Sequence, residues 1–97
     1  MKAVKRVEFI VDAHEVDNLL ASLAKINITS YTVIKEAYGN GDRGLRGGDI
    51  FSNTFDNSYV LIACSEEEAV AIVETIRPVL RSLGGMCLVS DAMWVIH

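Results

Sequence analysis

Proline, cysteine, basic charge and long apolar runs are all scarce in this sequence, and each shortage narrows what the chain can be. Pro78 is the single proline among 97 residues, so a kink or helix end is built in at one place only, late in the chain. Cysteine occurs twice. Cys64 and Cys87 sit in apolar strand-like runs, where they read as buried thiols rather than as a disulfide pair. Their spacing fits no Cys/His ligand pattern, and His14 and His97 fall at a helix start and at the chain end, so no metal site is expected. No apolar run approaches the ~18 residues of a membrane-spanning helix. Lys and Arg number 9 against 13 acids, a net charge of -4, which argues against a general nucleic-acid binder. The segment Met1-Lys2-Ala3-Val4-Lys5-Arg6 has no signal-peptide core, and the cytoplasm is the expected compartment.

What is present favours a packed domain. Hydrophobic residues make up 51% and charged residues 23%, a composition that folds. The length suits one domain, 1–97, and not two separate cores. The seven glycines fall in two places: Gly39 to Gly48, and the pair Gly84-Gly85.

Between them the chain has regular periods. Val4 to Val11 reads as a strand, with Val7, Phe9 and Val11 on one face. Asp12 with Glu15 reads as a capping box opening a helix to about Lys25, whose apolar stripe is Val16, Leu19, Leu20, Leu23 and Ala24. Ser30 to Lys35 is a β-branched second strand, and Asn57 to Cys64 a third. Ser65 with Glu68 caps a second helix carrying Ala69, Ile72, Val73, Ile76, Leu80 and Leu83 on one side. Gly84-Gly85 stops it, and Met86 to Ile96 is a fourth strand. The order βαββαβ predicts an α+β, ferredoxin-like fold: an antiparallel four-stranded sheet with both helices on one face. The strands Tyr59–Ala63 and Met86–Val89, and the run Met93–Ile96, are apolar on both faces. A sheet wetted on one side should alternate. The second face therefore needs a cover, and an oligomer in which sheets pack together supplies it.

The stretch from about Tyr38 to Phe55 has neither period and holds most of the glycine with Arg43 and Arg46. Loops of this length in small domains are commonly functional. Glycine-rich backbone can turn N–H groups onto an anion, and arginine offers a planar fork for phosphate or carboxylate. A solvated loop that contacts protein is the other reading of the same residues. Neither a P-loop nor a dinucleotide fingerprint is present. Asp42, Asp49, Asp56, Ser52 and Thr54 stand beside no histidine or cysteine that could serve as base, so no catalytic residue is expected.

Three motifs together carry a resemblance: Tyr31-Thr32-Val33 in the second strand, Gly39-x-Gly41-x-Arg43-x-x-Arg46 in the loop, and Gly84-Gly85 before the last strand. The chain resembles the PII superfamily of trimeric signalling proteins, in particular its shorter PII-like branch found with inorganic-carbon transport and carboxysome genes. The resemblance implies a non-catalytic homotrimer with an adenine nucleotide in clefts between subunits. It makes residues 38–55 the T-loop, which changes conformation with nucleotide and contacts the target. By position, it implies Thr32 and Val33 on the ribose or adenine side, and Gly41, Asp42 and Arg43 near the phosphates. Arg46 would add charge to the phosphates or to a bicarbonate, and Gly84, Gly85 and Met86 would approach the adenine. Leu45, Ile50, Phe51 and Phe55 would either anchor the partner, a membrane transporter or a carboxysome-associated protein, or fold back onto the trimer. Two departures shape the expected ligand. The loop has no counterpart of the modifiable tyrosine or of the glutamine that helps bind 2-oxoglutarate, and Arg81-Ser82-Leu83-Gly84-Gly85-Met86 has no polyphosphate-binding lysine. AMP or ADP, with fewer charges to compensate, fits better than MgATP. A ligand-independent interaction protein and a CutA-like trimer are the alternatives.

Overall fold

A computed structural model describes residues 1–37 and 57–96. In these residues the order is β1 (Lys2–Asp12), a 3-10 turn (Ala13–Glu15), α1 (Val16–Lys25), β2 (Thr32–Ala37), β3 (Asn57–Cys64), α2 (Glu66–Ile76), a second 3-10 turn (Arg77–Val79) and β4 (Met86–Trp94). The strands form one antiparallel sheet in the order β2-β3-β1-β4. This is the ferredoxin-like plan that the sequence predicts.

The odd positions of β1 and the even positions of β3 face the helices. Val7 pairs with Ile62 and Phe9 with Val60, and all four are buried. Leu19 and Leu23 of α1 and Ile72 and Ile76 of α2 close the core over them. Burying such side chains fully is worth roughly 1.5–3 kcal/mol each. The stripe on α1 is narrower than the sequence suggests, since Ala24 is exposed and Leu20 only partly buried.

Local signals and their outcomes differ at the two helix starts. At α2 the capping box forms: Glu68 N donates to Ser65 Oγ at 3.1 Å, and Ser65 N donates to Glu68 Oε1 at 2.9 Å. At α1 it does not. Asp12 remains extended, paired with Asn57 as the last residue of β1, and its side chain makes no cap hydrogen bond. The first turn is 3-10, and Glu15 instead accepts from Asn18 Nδ2 at 3.0 Å.

Three strands depart from their sequence-predicted bounds, and β1 does so by running Lys2–Asp12 rather than Val4 to Val11. β2 begins and ends two residues later than Ser30–Lys35. It opens opposite Leu61 and reaches Ala37 through an irregularity in the pairing, with Glu36 at φ 60. β4 stops at Trp94 because its register partner there, Lys2, is the first residue of β1. Both cysteines are free thiols: Cys64 is buried and Cys87 partly so. Burial pushes the Cys87 thiol up to about 11.

Candidate functional site

The residues that flank the 38–56 segment are fixed by the sheet. The chain leaves at Ala37 and returns at Asn57, which are register partners, and Asn57 pairs in turn with Asp12. The end of β1, the pair Ala37 and Asn57, and the Gly84-Gly85 turn therefore share one end of the sheet.

The glycine pair is held there by contacts with β1. Asp12 N donates to Leu83 O at 3.4 Å, and within the turn itself Gly84 N donates to Arg81 O at 3.0 Å. Gly84 has φ +62, and a Cβ on it would overlap the Asp12 carboxylate. A Cβ on Gly85 would lie 2.5 Å from the Ile10 carbonyl oxygen. The turn is glycine because the end of β1 occupies the space of both side chains. Asp12, which the sequence pattern marks as a helix cap, is thus a wall of this turn. No one-dimensional signal reveals that, because the contact joins distant parts of the chain.

Of the nine nucleotide-contacting residues that the resemblance implies, five are described: Thr32, Val33, Gly84, Gly85 and Met86. Gly41, Asp42, Arg43 and Arg46 lie outside the described residues. So do the four partner-contacting residues Leu45, Ile50, Phe51 and Phe55. The described five divide into two groups. Thr32 and Val33 are on β2, one edge of the sheet, and Met86 is on β4, the other edge. β3 and β1 lie between, so three strand spacings separate Met86 from Thr32 and Val33 by about 14 Å within one chain, while Gly84 and Gly85 sit against the end of β1. Thr32 and Val33 also point to opposite faces. Val33 packs against the core and Thr32 is exposed.

A cleft of about 530 Å³ exists at the far end of the sheet, lined by Lys2, Val4, Cys64, Glu67, Trp94 and Ile96 among others. None of the five described residues that the resemblance implies lines it. Among the described residues no group of three His, Cys, Asp or Glu could hold a metal ion. Among the same residues, no helix is long and apolar enough to cross a membrane.

The open face of the sheet carries a feature that sequence reading treats as simple alternation. Glu8 accepts from Tyr59 Oη at 2.7 Å and stands 3.4 Å from Arg6 Nε. Arg6 Nε in turn donates to Ser90 Oγ at 3.1 Å. The hydrogen bond to Glu8 is the main cause that raises the Tyr59 hydroxyl above its ordinary pKa.

The family model for nitrogen regulatory protein P-II matches residues 4–96. The chain belongs to the P-II family. P-II proteins are signalling proteins and not enzymes, and a trimer is consistent with the family. The chain is thus a PII-like regulatory protein.

Solved structures agree on the fold. A nitrogen regulatory PII-like protein, CPII, from Thiomonas intermedia K12, bound to ADP, AMP and bicarbonate, has a TM-score of 0.75 at 19% identity. The match covers 95% of this chain and 88% of that one. A PII-like signalling protein from Thermus thermophilus has a TM-score of 0.73 at 21% identity, with 97% of this chain and 91% of that one covered. The apo form of CPII has a TM-score of 0.72 at 18% identity, with 95% and 91% covered. No curated protein matches the sequence.

Proposed function

We propose that this P-II family protein is a homotrimeric sensor that binds AMP or ADP in the clefts between adjacent subunits. The observation that carries the reading is the split of the five described residues. Thr32 and Val33 lie on the β2 edge of the sheet and Met86 on the β4 edge, about 14 Å away, with Gly84 and Gly85 against the end of β1 between them. A nucleotide meets both groups where the β2 edge of one subunit approaches the Gly84 to Met86 turn of another.

The chemistry at the turn supports a weakly charged ligand. Asp12 stands beside Gly84, where a carboxylate accepts from ribose hydroxyls or an adenine amine and repels additional phosphate. The arginines, Arg43 and Arg46, belong to the loop, whose base Ala37 and Asn57 share this end of the sheet. They supply the phosphate-binding charge together with the backbone of Gly41 and Asp42. Solved CPII complexes hold ADP and AMP with bicarbonate and ADP with bicarbonate, and bicarbonate is the second ligand we assign here, near Arg46.

Nucleotide acts by selecting one conformation of the 38–55 segment, and only a ligand with different affinities for the two states can do so. That segment then docks onto a partner through Leu45, Ile50, Phe51 and Phe55. The partner is an inorganic-carbon transporter or a carboxysome-associated protein, and the setting is the cytoplasm.

Isothermal titration with AMP, ADP, ATP and cyclic AMP, each with and without bicarbonate, tests the reading. Saturable micromolar binding of AMP or ADP is expected, strengthened by bicarbonate. Arg46→Ala should weaken it by about tenfold or more, with the assembly unchanged. No binding by any nucleotide to a folded trimer would leave a ligand-independent interaction protein.

A further inference from the structure

The open face of the sheet presents its residues in rows across the strands. Ile34, Tyr59, Ile10 and Met86 form one, and Thr32, Leu61, Glu8 and Leu88 the next. Ala63, Arg6 and Ser90 follow, then Val4 with Ala92, and Lys2 with Trp94. In this face Ile34 is 54%, Leu88 50% and Trp94 48% exposed. A carboxylate sits in the middle of it, flanked on both sides by leucine. The Glu8 side chain is only 23% exposed, and that of Arg6 50%.

We infer that Arg6, Glu8, Tyr59 and Ser90 form the polar key of the contact between copies of this chain. They are buried together when open faces meet, and they fix how the faces register. The inference rests on the trimer reading and adds the residues that decide it. The occupant of the face is a second copy because the face suits itself. Its central charges, Arg6 and Glu8, are of opposite sign and two residues apart on one strand. Two like faces can therefore approach without like-charge repulsion, and an Arg6 of one copy can meet a Glu8 of another. The carboxylate is already hydrogen-bonded within its own chain, and so is the guanidinium. Charges satisfied in this way can be covered by apolar surface, whereas a single charge left alone there is strongly unfavourable. A wholly apolar face would associate as well, but with nothing to select one register.

The test is a double-mutant cycle on the full chain, read by light scattering over a dilution series, with far-UV circular dichroism as the check on folding. Arg6→Leu strands Glu8, and Glu8→Leu strands Arg6. Each single variant should stay folded and dissociate at concentrations at least about 100-fold higher than the wild type. The R6L/E8L double variant, which leaves neither charge unpaired, should return to within about tenfold of wild type, since replacing a buried pair by apolar residues is close to neutral. Single variants that keep the wild-type mass on dilution would overturn the proposal, and so would a double variant as dissociated as either single. A wild-type chain that is monomeric throughout would instead overturn the trimer reading itself, before any variant is compared.

Discussion

On one face of the sheet Val7, Phe9, Val11, Val60 and Ile62 lie under two helices, closed to solvent. On the other face, contributed by the same four strands, Ile34, Met86, Leu88 and Trp94 stand open around a carboxylate network. The first face has all it needs within 97 residues. The second is also apolar in its outer rows and has no cover among the described residues. The difference separates two tasks that one strand can hold at alternate positions: odd residues of β1 make the fold, and even residues make a surface for assembly.

That division can be broken or sharpened by substitution. The largest effect is expected from Phe9→Ala, a truncation inside the closed face. It should cost about 3–5 kcal/mol, read as a lower midpoint in urea denaturation. Its neighbour Ile10→Ala, on the open face, should leave the circular dichroism spectrum intact and shift the dissociation midpoint instead. Equal losses of folding stability at both positions would erase the distinction between the faces.

Next in size is the turn where the sheet end meets the candidate site. Gly84→Val forces a β-branched residue into a positive φ and into Asp12, at a cost of about 2–3 kcal/mol. Thermal melting measures it, and an unchanged midpoint would mean that the Asp12 contact is slack. Ser65→Ala should remove about 1 kcal/mol through the capping box of α2, again as a lower melting midpoint.

The last effect is nil at neutral pH and shows only in alkali. Cys87 lies on the helix side, paired with Phe9, and burial holds its thiol at about 11 against an ordinary 9.0. Because the folded pKa is raised, the unfolded chain loses this proton first. The contribution is therefore fully present below pH 9.0 and is lost as pH rises through about 11. Denaturation midpoints should fall over that range, and Cys87→Ala should flatten the slope.

How far the sequence is readable follows the range of the contacts involved. The strand 57–64 and the Ser65 cap depend on neighbours in the chain, and both form where the pattern puts them. The Asp12 cap does not form because Asp12 is needed elsewhere, in a strand pair with Asn57 and against Gly84. The end of β2 shifts because the irregularity near Glu36 depends on pairing with β3, which composition does not encode. At the candidate site the Gly84-Gly85 turn is legible as a break, while its reason, the filled space above each glycine, requires the fold. The Glu8 network is illegible for the same cause: alternation marks Glu8 as outward-facing and cannot tell water from a second copy.

The most direct test is the mass of the wild-type chain in solution by light scattering across a dilution series. The account predicts a value near three times 10.6 kDa, held to low micromolar concentration. A stable mass of 10.6 kDa for a folded chain would contradict it, because the open face would then be a water-facing surface and the two edges of the sheet would never meet across a subunit boundary.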